Sequence, residues 1–145
     1  MTVEENAIGE SDQVAITQVI AKYGATLDAG DVEGWVDTFA PDGVLHYPGG
    51  MVTGHFELRE FFINMVQNGS LGKTPRLIMH LVGIPYITRE DDVVSARTYG
   101  AMFNYSQDGA IRVPRITRYE DTLAFHDGRW LIAERFLHVD LEGAQ

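Results

Sequence analysis

The feature that most constrains the fold is a change of period along the chain. Up to Met65 the apolar residues recur at helical spacing, and from Arg76 onward they fall into long alternating segments. Ile16, Val19, Ile20, Tyr23 and Leu27 define one face of a first helix, which Ser11 is placed to cap and Gly30 to end. Asp31 caps a short second helix carrying Val32, Trp35, Val36 and Phe39, and Pro41-Asp42-Gly43 turns the chain out of it. Short β segments over 44–47 and 51–53 precede a third helix marked by Phe56, Leu58, Phe61, Phe62 and Met65. The later segments, 76–88, 93–105, 110–125 and 129–140, include two joined by Ser106-Gln107-Asp108-Gly109 and two joined by His126-Asp127-Gly128, connections that suit antiparallel hairpins. Helices first and a strand meander afterwards imply an α+β domain, three N-terminal helices packed on a curved antiparallel sheet that encloses a pocket. Strand side chains alternate, so one row of each strand lines that pocket. For 93–105 the alternation leaves open whether the row of Tyr99 and Phe103 or the row of Val94, Ala96 and Met102 faces inward.

A chain of 145 residues that is 45% hydrophobic and 22% charged has enough material for one core. No repeat or low-complexity tract marks a second unit, so the expected division is a flexible leader over 1–10, one domain over 11–140 and a tail over 141–145. A formal charge of -10 opposes the phosphate attraction on which nucleic-acid binding rests, and disfavours anionic membranes. No apolar run approaches the roughly 20 residues of a transmembrane helix. The acidic start, MTVEENAIGE, lacks the basic and apolar regions of a signal peptide and points to a cytoplasmic protein. With no Cys, thiolate nucleophiles, disulfides and Cys-ligated metals are excluded. His46, His55, His126 and His138 form no spaced ligand pair, so neither metal nor cofactor is expected, although His46, His80 and Asp28 stay open as a mononuclear set. Phosphate loops, dinucleotide glycine motifs and nucleophile elbows are missing.

Two residues stand out for chemistry. Asp28 falls in the last turn of the first helix, where the macrodipole disfavours an anion by roughly 0.3–1 kcal/mol. It sits at the edge of the apolar stripe, so either a turn hydrogen bond with the Gly30-Asp31 backbone or a partner at the core boundary must offset that cost. His80 lies in an apolar run over 77–86, a setting that suits a general base beside a carboxylate and equally a core histidine bonded to a carbonyl. Arg97, Arg115 and Arg118 are read as sheet-face partners of Glu120, Asp121 and Glu134. Tyr23, Tyr47, Tyr99 and Tyr119 are candidate hydroxyl donors on an apolar wall.

The order of the elements carries a resemblance. AKYGATLDAGDVEGWVDTFAPDGVLHYPGG, MHLVGIPYI and RYEDTLAFHDGRWLIAERF, within roughly 11–138, resemble the SnoaL-like branch of the NTF2-like superfamily. The telling pieces are Tyr23-x4-Asp28, the Phe39-Ala40-Pro41-Asp42-Gly43 turn, His80 opening a strand, and Asp127-Gly128-Arg129-Trp130. The resemblance implies an NTF2-like cone. Its relatives include ketosteroid isomerase, scytalone dehydratase, polyketide cyclases, a bile-acid dehydratase, a dehydrochlorinase and oxygenase small subunits, which share a pocket more than a reaction. In the dehydratase and dehydrochlorinase relatives an Asp late in the first helix and a His on the first long strand form a base dyad, and Asp28 and His80 stand at matching places. An Arg five residues after the late Trp assists in the dehydrochlorinase, and Arg135 stands five residues after Trp130. The ketosteroid isomerase set finds no such match.

The expected function is therefore a cofactor-free, dehydratase-like lyase acting on a small apolar or aromatic substrate. His80 is the base, Asp28 orients it, Tyr23 and Arg135 assist, and Tyr47, Trp35, Tyr99, Phe103 and Tyr119 bind substrate. An isomerase or polyketide cyclase using the same dyad is the first alternative. A non-catalytic ligand-binding or oxygenase-small-subunit-like module is the second, and the short stretch after the last strand weighs against the subunit. Asp28 and His80 are expected together on the wall of the largest pocket. A homodimer through the exposed sheet face is expected because both rows of 93–105 carry apolar residues.

Overall fold

The computed structural model describes residues 7–69, 78–105 and 108–142. Helix α1, Glu10–Ala29, buries the expected stripe of Ile16, Val19, Ile20, Tyr23 and Leu27. Its N-cap is Gly9, not Ser11, and no side chain caps it; Glu10 and Asp12 in the first turn supply the favourable charge there. Gly30 ends the helix in the left-handed conformation, φ 68°, where a side chain would be strained. Asp31 then caps α2, Val32–Val36, its Oδ1 accepting the Gly34 N–H at 2.9 Å.

The second helix is shorter than its apolar pattern suggests, because Phe39 already opens strand β1, Phe39–Tyr47. Pro41-Asp42-Gly43 is thus a bulge inside β1 and not a turn after a helix: the register against the neighbouring strand shifts between Phe39 and Val44. A Cβ at Gly43 would lie 2.9 Å from the Ala40 carbonyl oxygen and 3.1 Å from that of Ile132, so only glycine fits the bulge. Strand β2, Gly50–Thr53, and helix α3, Gly54–Gln67, follow.

The segment expected as one strand over 76–88 is two, β3, Ile78–Val82, and β4, Tyr86–Glu90, parted at Gly83-Ile84-Pro85, where proline offers no N–H to continue the ladder. Both pair with β5, Val93–Tyr105, which pairs in turn with β6, Ile111–His126, and that with β7, Arg129–Glu142. The sheet runs β2-β1-β7-β6-β5-β3, with β4 also on β5. All pairs are antiparallel except β1 with β7, which is parallel. The helices pack on this curved, unclosed sheet, an α+β arrangement. Residues 1–6 of the expected leader, 76 and 77, Ser106 and Gln107 of the hairpin connection, and 143–145 of the tail lie outside the described residues.

Burial settles the inner row. Val94, Ala96, Thr98 and Met102 are buried, whereas Tyr99 is 63% exposed. Register carries the same face into β6, pairing Ala96 with Asp121, Thr98 with Tyr119 and Met102 with Arg115. Between this face and the helices sits an aromatic core in which Trp35 meets Tyr23, Phe39 and Phe62 at centroid distances of 5.3–5.5 Å. Such tilted pairs each add about 0.5–1.5 kcal/mol beyond the area they bury.

Candidate active site

Two local choices bring α1 against β3. A Cβ at Gly24 would fall 2.8 Å from Val82 Cγ2 and 3.8 Å from the His80 Cβ, so the missing side chain lets the strand approach the helix. Four residues later on the same helical face stands Asp28. Its carboxylate takes hold of His80 twice: Oδ2 accepts the backbone N–H at 2.8 Å, and Oδ1 lies 2.5 Å from the ring Nδ1. The His80 side chain is 12% exposed and that of Asp28 23%, so the pair sits at the edge of the core, with the Asp28 backbone open to solvent. The alternative of a turn hydrogen bond for Asp28 is thus replaced by a partner 52 residues away. With Nδ1 facing a carboxylate, the ring's proton belongs there, and Nε2 keeps its lone pair with no hydrogen-bond partner among the described residues.

His80 lines a partly open cavity of about 80 Å³ together with Tyr23, Leu27, Leu45, Phe61, Met65, Met102, Arg115, Thr117, Tyr119, Leu137 and Val139. This is not the largest concavity: shallower depressions of about 370 and 360 Å³ lie around Arg97 and Glu120 and around Asp37 and Arg129. Bulky side chains from Tyr23, Tyr119 and Met102 occupy the inside of the cone, which leaves the dyad beside a small space.

Arg135 is not on the cavity wall. It is fully buried behind Tyr23 and Tyr119, its guanidinium carbon 4.1 Å and 4.3 Å from their ring centroids. Asp121 receives it in a two-pronged ion pair, both contacts 2.7 Å. Burial works against the arginine's charge, but the attraction and hydrogen bonds of Asp121 outweigh it and raise the group above its ordinary range. Burial, with Tyr119 next, pushes the Tyr23 hydroxyl well up, so it stays a protonated donor.

Of the aromatic residues expected to bind substrate, Tyr119 lines the cavity and four do not. Trp35 is wholly inside the aromatic core. Tyr47 packs on Phe61, centroids 4.7 Å apart, one layer back from the cavity. Tyr99 and Phe103 belong to the outward row of β5, because the bulkier apolar residues of that strand are not the ones its pleat turns inward. Arg97 and Arg118 pair as expected, with Glu120 at 3.1 Å and 3.0 Å. Arg115 departs from that pattern: it lines the cavity and makes no ion pair among the described residues. His46 is engaged by Glu134 at 2.9 Å and stacks on Phe136. Among the described residues no group of three His, Asp or Glu side chains is arranged to hold a metal ion. No helix among them is long and apolar enough to cross a membrane.

A family model described as SnoaL-like domain matches residues 11–136. No curated protein matches the chain. Among solved structures, a protein of unknown function with a cystatin-like fold from Nostoc punctiforme is similar at a TM-score of 0.78 and 25% identity, over 92% of this chain and 94% of that one. A protein from Catenulispora acidiphila, solved in complex with S-DNPA, is similar at a TM-score of 0.76 and 27% identity, over 91% and 96%. A beta subunit assigned to an aromatic-ring-hydroxylating dioxygenase from Novosphingobium aromaticivorans shares the fold, at a TM-score of 0.73 and 22% identity over 94% of each chain.

Proposed function

The chain belongs to the SnoaL-like domain family, and from that premise we propose that it is a cofactor-free lyase, dehydratase-like, working on a small substrate by proton transfer at His80. The observation that carries the reading is the double hold of Asp28 on His80, which leaves Nε2 as the free basic nitrogen of a ring on a cavity wall. His80 Nε2 takes a proton from a carbon next to a carbonyl. The electron pair of that C–H bond forms the new C=C bond as the neighbouring C–O bond breaks, and the departing oxygen leaves as water with the proton returned by the imidazolium. Asp28 holds the tautomer and stabilises the imidazolium. The protonated Tyr23 hydroxyl donates to the oxygen on which negative charge develops. Arg135 is a positioning residue in this account, holding the rings of Tyr23 and Tyr119 by their faces.

Isomerisation and cyclisation begin with the same abstraction, so the test targets that step. The protein is incubated in D₂O with a panel of small β-hydroxy and α-unsubstituted carbonyl compounds, and deuterium entry at the α-carbon is followed by NMR. The reading requires wash-in or water loss for at least one member, abolished in His80→Ala. Tight binding of panel members with no exchange in any of them favours a ligand-binding module instead.

A further inference from the structure

Arg115 is the one lining residue of the His80 cavity with a fixed charge. Arg97, Arg118 and Arg135 in the same sheet each have a carboxylate within 2.7–3.2 Å, whereas Arg115 has none among the described residues. A half-buried guanidinium beside apolar side chains such as Met102, Leu137 and Val139 loses hydration without gaining a carboxylate partner among the described residues. The ladder fixes its place relative to the dyad. His80 pairs with Met102 and Met102 with Arg115, so the three stand in one row across β3, β5 and β6 and turn to the same face. Two strand spacings of about 4.8 Å put the His80 and Arg115 backbones about 10 Å apart, with Met102 as the apolar floor between.

We propose that Arg115 is the anion anchor of this cavity and that the molecule acted on at His80 is a small carboxylic acid. The guanidinium receives the carboxylate, and the apolar floor carries the carbon chain or ring toward Nε2. With the anion held at one end, the carbon that gives up its proton is the one that reaches His80, which makes Arg115 a specificity-determining residue. The cavity's roughly 80 Å³, against the 300–1,000 Å³ usual for ligand sites, restricts the buried part of that acid to a short chain or a single ring. This inference rests on the proton-transfer reading only for the statement that the acid is also the substrate.

The test is a binding comparison that needs no turnover. Benzoate and its neutral isostere benzamide are titrated into the wild type, Arg115→Gln and Arg115→Lys and followed by protein NMR. A net charge of -10 works against any unspecific preference for the anion. The proposal expects benzoate to bind the wild type about tenfold or more tightly than benzamide, as a charge-assisted pair should. That preference disappears in Arg115→Gln and survives in part in Arg115→Lys. Should Arg115→Gln fail to fold, the Arg115 Nε–H resonance of the wild type decides, moving with benzoate and staying still with benzamide. Absence of benzoate binding, equal affinity for the two, or a preference that persists in Arg115→Gln overturns the proposal. His80→Ala keeps the preference, so loss of exchange in that variant tells against neither the anchor nor its measurement, and a failed anchor leaves the exchange test standing.

Discussion

The Asp28 carboxylate contacts His80 through both of its oxygens, one on the backbone N–H and one on the ring. A single side chain therefore fixes where the strand sits and which nitrogen of the imidazole is free. The two tasks separate by substitution. Asp28→Asn keeps an oxygen for the His80 N–H and should cost little stability, while Asp28→Ala strands that contact and should cost about 1–3 kcal/mol in denaturant unfolding. Equal losses for the two variants would mean that the backbone contact contributes nothing.

The Arg135–Asp121 pair predicts an asymmetry. Removing Asp121 alone leaves a buried guanidinium uncompensated, so Asp121→Ala should lose about 3–5 kcal/mol, whereas Asp121→Leu with Arg135→Met should recover much of it. Recovery measured by thermal unfolding, with the family fold intact by circular dichroism, is the expected result. A double variant as unstable as the single one would assign the pair a net stabilising role.

Asp37 gives a pH prediction. Two hydrogen bonds from Arg129 bring its carboxyl down to about 2, against some desolvation, and Lys22 adds to the shift. A group whose folded value is depressed stabilises the fold above its unfolded value and loses that contribution as pH falls toward the folded one. Wild type should therefore melt above Asp37→Asn at neutral pH, and the gap should close between about pH 4 and 2. Both partners are substantially exposed, so the gap should be modest and should shrink with salt.

We also propose a homodimer through the outer sheet face, where Tyr86, Tyr99, Val93 and Ile116 stand exposed. A copy of the same face laid on it about a twofold axis would bury these side chains on both protomers. Light scattering at micromolar concentration should give twice the 16.2 kDa chain mass, and Tyr99→Glu should halve it.

Local chemistry was the most legible layer of the sequence. Gly30 and Asp31 cap as their residue types lead one to expect, although Ser11 does not, and the helical stripe of α1 needs no tertiary context to be read. Asp28 and His80 were readable as a pair through the family resemblance, and each by its setting alone allowed a second reading. What the sequence hid was parity. Both rows of β5 carry apolar residues, so nothing local turned Tyr99 and Phe103 outward, and an aromatic core residue such as Trp35 has the same composition signal as a substrate wall. Arg115 reads as a sheet-face partner because its parity is hidden, whereas Arg135 reads as a catalytic helper only through the resemblance and is instead buried with Asp121. A usable signal existed: Arg115, Thr117, Tyr119, Asp121 and Leu123 form one alternating row, and the buried members of that row place Arg115 on the cavity side.

The dyad itself is tested most directly by the rate of deuterium entry at the α-carbon of an active panel compound, compared across wild type, His80→Ala, Asp28→Asn and the double variant. His80→Ala should lose on the order of 10²- to 10⁴-fold, Asp28→Asn less or a similar amount, and the double variant scarcely more than His80→Ala alone, because the two residues act as one unit. Exchange that survives in His80→Ala, or losses that multiply fully in the double variant, would contradict the account.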